Sequence, residues 1–414
     1  MKDTKDLYYY NDKAGIYIKG AEWLVEQECM ESDPEMLTKT VTDIKNRIIW
    51  SNYSDRWTFD RNIEWFCCKD VMVNLLTGET KPHSSEFMAT VQIPHRYNYF
   101  KSPCVPLPTK ILKFFHQVMA PEDEETILDF IALCLWRGFP FHRWLLLNGS
   151  GRNGKGVTTN LIKDFLGRNN VSIESLHRIL ENRFAAANLF GKMANIDADL
   201  SSEALKPTGD LKKLTGSDEI PAEFKFKTAF GFENYAKLIF SANKMPITPD
   251  ETDAFFARLL IINFPNQFLA DMANPYLIND LSTEAEMSAL LRLAINRLPR
   301  VLETGISYAG NHTIDDNYLK YIESSDPIRL FCELGIRREP NHNETKAAVY
   351  SAYEEYCMEK RLPKESNQTF SRRLKQSGFE YKQDRQDKGR PYVWESVKLV
   401  NWKPVEDEDQ ETLR

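Results

Sequence analysis

The sequence has no run of 18 or more apolar residues, which excludes a helix that spans a membrane. Its opening, MKDTKDLYYYND, is polar and carries no apolar targeting region. No Cys-x-x-Cys pair occurs among the seven cysteines, so the commonest zinc-binding pattern is missing. Their odd number and the missing export signal fit a reducing compartment, the cytoplasm. Positive charge is in deficit: the net charge of -7 excludes a protein coated all over in nucleic acid. A local basic channel stays open, because a partner feels the local field and not the sum. There is no internal repeat and no biased tract outside the acidic end.

The composition present is ordinary for a globular protein, 42% hydrophobic and 27% charged over 414 residues, enough for two or three domains. Residues 1–120 mix short apolar runs with aromatics, and Trp57, Phe59, Trp65 and Phe66 are expected to form the core of a small α+β or mostly helical domain. The stretch PEDEETILDFIALCL (121–135) opens with Pro and acids before turning apolar, a helix start. Residues 144–300 alternate short apolar runs with helical stretches, the pattern of an α/β domain with a parallel sheet. Residues 326–402 read as a separate small domain of helices followed by a ribbon, and 403–414 as an acidic, disordered tail.

The chemistry centres on WLLLNGSGRNGKGVTTNLIKDFLG (144–167). Trp144 to Leu147 is a short buried strand, and a helix is expected from about Lys155 to Phe165. Between them, Gly149 and Gly154 are separated by four residues and Lys155 comes next, the phosphate-loop pattern. Glycines let consecutive N–H groups curl around an anion, the helix N-terminus adds partial positive charge, and the lysine reaches the β- and γ-phosphates of ATP. Gly-x4-Gly-Lys alone arises by chance in roughly one chain in ten of this length. The flanking strand and helix are what separate it from a glycine-rich surface turn. The nucleotide-binding set is therefore Gly149, Ser150, Gly151, Arg152, Asn153, Gly154, Lys155, Gly156, Val157 and Thr158. Gly156 stands where Ser or Thr usually holds Mg2+, and Thr158 or Thr159 is left to replace it.

Such a loop needs an acid at the end of a neighbouring strand. GKMANIDADL (191–200) supplies Asp197 and Asp199, which point the same way if the chain there is extended. The alternative is a loop of solvated carboxylates. YAKLIFSANKMP (235–246) is another buried strand, ending at Asn243, whose amide suits an attacking water; a strand-end Asn is otherwise a turn residue. In DETDAFFARLLIINFP (250–265), Arg258 is either a structural ion-pair residue or a group that reaches a neighbouring subunit's phosphate.

Taken together, GSGRNGKG, NIDADLSSEALK, LKKLTGSDEIPAEFKFK, AKLIFSANKMP and DAFFARLLIINFP resemble the phage and plasmid primase–helicase family, a superfamily 3 branch of the AAA+ ATPases. IEWFCCKDVMVNLLTGETKPHSSEFMATVQIPHRYN resembles the domain that precedes the motor in that family. The resemblance implies a pre-motor domain (1–120), an AAA+ ATPase core (121–310) and a C-terminal winged helix (326–402). It further implies a hexameric ring in the host cytoplasm, driven by ATP and Mg2+, that moves 3′ to 5′ on single-stranded DNA. By residue, Lys155 binds phosphate, Asp199 falls at the family's acidic position, Asp197 and Thr158 serve the metal, Asn243 senses the γ-phosphate, and Arg258 is a finger acting in trans. With about 120 residues ahead of the motor, no primer synthesis is expected.

In related helicases the insertion between Ser217 and Tyr235 is a pore-lining hairpin. EFKFK alternates, so as a strand it sets Lys225 and Lys227 on one face for the DNA backbone, unless that face is merely solvated. From Lys360 to Arg390 there are ten Lys/Arg against four Asp/Glu. Arg372, Arg373 and Lys375 on the helix NQTFSRRLKQSGF, with a wing at Lys388-Gly389-Arg390, are the duplex-contact candidates; the alternative is a docking module. Two other functions compete with the helicase: an initiator that binds and melts an origin, and a ring-forming ATPase scaffold that unwinds nothing.

Overall fold

The computed structural model describes residues 6–101, 106–201, 203, 208–216, 218–225, 228–246, 248, 252–268, 274–306, 313–360, 362, 364–383 and 391–400. The chain divides into two compact units, Met1–Ile314 and Asp315–Arg414. Among the described residues no helix is long and apolar enough to cross a membrane.

The first unit is α/β and is organised by a five-stranded sheet: β1 (Trp144–Asn148), β2 (Val171–Ser172), β3 (Ala194–Asp197), β4 (Lys237–Ala242) and β5 (Leu259–Asn263). Their spatial order is β5-β1-β4-β3-β2, and every pairing is parallel. The unbroken apolar runs of β1 and β5 reflect burial on both faces; Trp144 to Leu147 and Leu259 to Ile262 are all inaccessible. Because all five strands run the same way, their C-terminal ends share one edge. Because β1 lies between β4 and β5, the loop leaving β1 comes to lie beside the loop leaving β4. Crevices at such crossings of strand order are where ligands of open α/β sheets sit.

One charge lies inside this sheet. Lys237 opens β4 and is fully buried, with its Nζ donating to the carbonyls of Trp136 (2.8 Å) and Tyr235 (2.9 Å). Burial pushes this ammonium down to about 8, slightly opposed by the nearby Cys134.

Two helices brace the sheet. Pro121–Leu133 starts with Pro at its first turn and three acids behind it, which suits the exposed N–H groups there. Glu284–Thr304 is capped by Thr283, whose hydroxyl accepts from the Glu286 amide. The helices are joined by Asp129, whose buried carboxylate takes Arg297 at 2.8 Å and also Arg300.

Residues ahead of the sheet build a small cluster of their own around Cys67, Met72 and Ala89, and also join the main core. A small sheet ordered Thr80–Lys81, Met72–Asn74, Trp65–Cys68, Gln92–Ile93 contributes Phe66, Cys68, Val73 and Ile93 to the same apolar cluster as Phe165 and Leu166 of the central helix. Of the four aromatics expected in a core, Phe66 is buried and Phe59 and Trp65 are half-buried, but Trp57 is 58% exposed. Trp57 sits in a single 3-10 turn, Arg56–Thr58, where it is Arg56 that turns inward.

The second unit opens with helix Ile314–Ser325 and then runs helix Pro327–Gly335, strand Ile336–Thr345, helices Lys346–Glu359 and Asn367–Gln376, then strands Tyr381–Gln383 and Tyr392–Leu399. Its sheet is antiparallel with Tyr392–Leu399 in the middle. Phe331, Tyr353, Phe370 and Trp394 fill the core. The first strand corrects the expectation of helices followed by a two-stranded ribbon. IRREPNHNET is an edge strand with a register shift between Arg338 and Asn343, and it buries only Ile336, so no apolar alternation announces it.

Removing Asp129 leaves the largely buried Arg297 with only the half-exposed Glu125 as its partner, and the loss approaches the roughly 3–5 kcal/mol of a broken buried pair. Asp129→Ala is expected to unfold at clearly lower urea concentration than the parent, while Glu125→Ala, at the exposed end of the same network, shifts the midpoint little.

Candidate functional site

The glycine-rich segment joins β1 to the helix Lys155–Leu166 at the shared edge of the sheet. Gly151 (φ 98°), Arg152 (φ 51°) and Gly154 (φ 96°) all take positive φ, which curls the backbone into a concave run of N–H groups. At Gly149 the constraint is space: a Cβ there would stand 2.1 Å from Asn153 Nδ2 and 2.9 Å from the Phe264 carbonyl. The turn is tied down from outside. Asn153 Nδ2 donates to the Phe264 carbonyl (3.3 Å), Gln267 Nε2 to Ser150 Oγ (2.7 Å), and the Phe268 amide to the Arg152 carbonyl (2.8 Å). Thus the five residues after β5 form a strap along the loop.

Lys155 is only 5% exposed. Its Nζ donates to the Gly149 carbonyl, to Asn153 Oδ1 (3.2 Å) and to Asn243 Oδ1 (3.1 Å). Three neutral oxygens therefore hold a buried cation. Burial pushes Lys155 down to about 8, and the charge of Asp199 opposes this. Such an ammonium, beside a helix N-terminus and curled amides, is matched to an anion. Lys155 and Asn243 are 88 residues apart in sequence, and the β1–β4 pairing is what joins them.

Asp197 ends β3. Its Oδ1 accepts the Asp199 amide (3.3 Å), and its Oδ2 is buried with no hydrogen-bond partner. Burial raises its pKa above the usual carboxylate range, the Asp199 amide opposes this, and Lys163 and His177 oppose it further. The chain bends after Asp197, so the two acids do not project side by side from an extended strand as expected: Asp197 is half-buried and Asp199 is exposed. An unpartnered, desolvated carboxylate oxygen fits a divalent cation. Nearby, Thr158 Oγ1 donates to the Gly154 carbonyl (3.1 Å) and Thr159 Oγ1 to that of Gly156 (3.0 Å). Beside Gly156 the space a side chain would fill is open. Among the described residues no three His, Cys, Asp or Glu side chains cluster to hold a metal unaided.

Arg258 is not brought to this site. It precedes β5, while the loop adjoins the far end of that strand, where Asn263 pairs with Asn148. Five residues of strand separate them by about 16 Å. Its Nη1 donates to the Ala254 carbonyl (2.6 Å), and its Nε has no hydrogen-bond partner.

The insertion is an antiparallel ribbon, Glu219–Ala222 with Phe230–Glu233. Its first strand ends at Ala222, so EFKFK does not continue it, and Lys225 lies in the turn; Phe226 and Lys227 fall outside the described residues. In the second unit Arg372 is exposed, Arg373 pairs with Asp326 (3.0 Å), and Lys375 lies 4.2 Å from the Tyr381 ring centroid. The turn at Lys388-Gly389-Arg390 is also outside the described residues. Sequence reasoning missed the second task of Asn153, which holds both Lys155 and the strap, and missed Gln267 and Lys163; no spacing marks them.

A family of unknown function, DUF5906, matches residues 147–258, the stretch from the end of β1 to Arg258. The chain is 24% identical over 283 residues to "Putative helicase 022R" of Frog virus 3 (isolate Goorha), covering 63% of this chain and 28% of that protein. It is 26% identical over 153 residues to "Putative helicase L207/L206" of Acanthamoeba polyphaga mimivirus, covering 35% and 16%. The chain thus spans about a quarter and a sixth of the lengths of these viral relatives. Among solved structures, the apo form of the NrS-1 C-terminal region aligns over 95% of this chain and 97% of that one, at 12% identity and a TM-score of 0.46.

With Lys155 at about 8, anion affinity is expected to be flat below that pH, where the ammonium is already charged in the empty site. Above it, binding must also take up a proton, so affinity falls by up to roughly tenfold per pH unit. Calorimetric titration with ATP from neutral pH upward tests this; a profile that stays flat well above pH 8 removes Lys155 as the anion's cationic partner.

Proposed function

We propose that this chain is the ATP-hydrolysing motor of a DNA helicase of a virus or other mobile element, of the superfamily 3 branch of the AAA+ ATPases. The observation that carries it is the 3.1 Å contact between Lys155 of the glycine-rich loop and Asn243 at the end of the adjacent strand β4. It lies in a parallel sheet ordered β5-β1-β4-β3-β2, with an acid at the end of β3. The similarity to viral proteins named as putative helicases supports the same reading.

In this reading ATP enters the loop with its phosphates against the curled amides of Gly149 to Gly156. Lys155 exchanges its three neutral oxygens for phosphate oxygens, and the attraction gained there strengthens as water leaves. The exchange frees Asn243 Oδ1, which then orients the attacking water in line with the γ-phosphate. Asp197, through its unpartnered Oδ2, would hold Mg2+, which when bound neutralises the charge building on the phosphates. Asp199, exposed beside Lys155, is the acid available to polarise the water. Thr158 donates its hydroxyl hydrogen to the Gly154 carbonyl and would keep its oxygen lone pairs for the metal.

Arg258 lies too far from its own loop to serve it, which supports action in trans on the next subunit of a ring, a hexamer by resemblance. Each site then combines Lys155, Asp197, Asp199 and Asn243 of one subunit with Arg258 of its neighbour. The insertion ribbon, with Lys225 at its turn, would face the central pore and the single strand. The helix–strand–helix–helix–strand–strand order from Pro327 to Leu399 supports a winged helix. There Arg372 is the residue best placed to meet a duplex. Arg373 and Lys375 already have partners within the unit, so origin recognition through that helix has weaker support than the motor.

ATP turnover of assembled protein, with and without single-stranded DNA, is the deciding measurement. DNA-stimulated turnover is expected, abolished by Lys155→Ala and lowered about a thousandfold by Arg258→Ala with ATP still bound. Mixing the two variants should restore part of the activity at mixed interfaces. Turnover indifferent to DNA would transfer the protein to the scaffold class, and mixed rings without rescue would end the trans assignment.

A further inference from the structure

A large cleft of the first unit lies away from the glycine-rich loop. A cleft of about 1100 Å³ opens between the N-terminal ribbon (Tyr8–Asn11 with Ile16–Lys19), residues 56–63 and the edge strand β2. That exceeds the usual small-ligand range of roughly 300–1,000 Å³. One wall is aromatic: Tyr8 and Tyr17 pack against Phe59 with centroids 4.9 and 5.4 Å apart. At the lip stands Trp57, 58% exposed, facing outward from its 3-10 turn. The far end is closed by Phe224 from the turn of the insertion ribbon, with Lys19 Nζ 5.6 Å from its ring centroid.

Arg137 also lines the cleft. Arg137 has a side chain only 6% exposed; its Nη2 donates to the Trp65 carbonyl (3.1 Å), Nη1 is 3.9 Å from Asp60, and Nε has no hydrogen-bond partner. A buried guanidinium N–H without a partner is costly unless something else accepts it. The charges divide unevenly. Asp6 is paired with Lys19 (2.9 Å) and Glu174 with Arg178 (3.0 Å), while Arg61 stands exposed and Lys192 half-buried at the lining, with Glu233 the exposed acid opposite.

We propose that this cleft is a nucleobase-binding site, occupied by bases of single-stranded DNA on their way to the insertion ribbon. A nucleobase is the ligand class that suits an aromatic wall with cations at its margin. It is flat and stacks on tyrosine, phenylalanine or tryptophan whatever its identity. Its phosphates stay outside, toward Arg61 and Lys192. The cleft ends at Phe224, next to Lys225, so a strand lying in it continues onto the ribbon. The site rests on the DNA-binding part of the proposed function and is independent of ATP turnover, so binding is measured without nucleotide.

The experiment uses the whole chain and an oligothymidine carrying 5-iodouracil. Cross-linked peptides are expected to contain Trp57 or Tyr17, and Trp57→Ala is expected to weaken binding about tenfold, the effect of losing one stacked base. Because Trp57 is exposed, its removal leaves the core intact, and an unchanged melting curve verifies this. Cross-links confined to residues 219–233 together with unchanged affinity for Trp57→Ala would overturn the site. Thymidine monophosphate is the control: if it competes at concentrations close to those of the oligomer, the occupant is a free nucleotide and the strand assignment falls.

Discussion

A buried ammonium bonded only to neutral oxygens sets the terms for the whole site. Lys155 donates to a carbonyl and two amide oxygens, and those acceptors come from three places: the start of the loop, its middle, and the end of β4. A desolvated cation in this position is tolerable only if each acceptor is fixed. Much of the surrounding architecture fixes them. The tight approach at Gly149, the bond from Asn153 to the strap, and the parallel pairing of β1 with β4 all hold oxygens in place around one nitrogen. The cost of keeping that charge out of water is what makes the site receptive to a stronger anion.

A second desolvated group sits nearby with opposite sign. Asp197 is held by one amide and otherwise left with a bare oxygen, and its carboxyl is harder to ionise than a solvated one. Lys155 pushed down and Asp197 pushed up are the same phenomenon, two groups shielded from water and not directly paired. Paired groups would quench each other. Keeping them apart leaves one able to meet phosphate and the other a cation, as the proposed reaction requires.

How much of this is legible in the sequence differs by element. The strands β1 and β4 and the helix after the loop are legible because burial on both faces leaves continuous apolar runs, and because glycines and a lysine between them have few other uses. The acids and Asn243 are legible as strand-end polar residues. Their geometry is not, since the bend after Asp197 depends on one amide bond to its own side chain. Trp57 departs from expectation because aromatic content implies burial only on average, and here a single turn faces outward. The strand Ile336–Thr345 is invisible because an exposed edge strand needs no apolar alternation. EFKFK alternates in sequence, yet the first strand ends at Ala222 and Lys225 lies in a turn.

The strap after β5 ties two distant places into one solid piece. Residues 264–268 are bonded into the glycine-rich loop, and the strand that leads to them begins immediately after Arg258. That strand is buried along its length and paired residue for residue with β1. It has no slack with which to absorb a shift at one end. A displacement of the loop would therefore be carried to Arg258 as through a push-rod, and under the proposed reading that strand would gear one subunit's nucleotide occupancy to the hand it extends to the next.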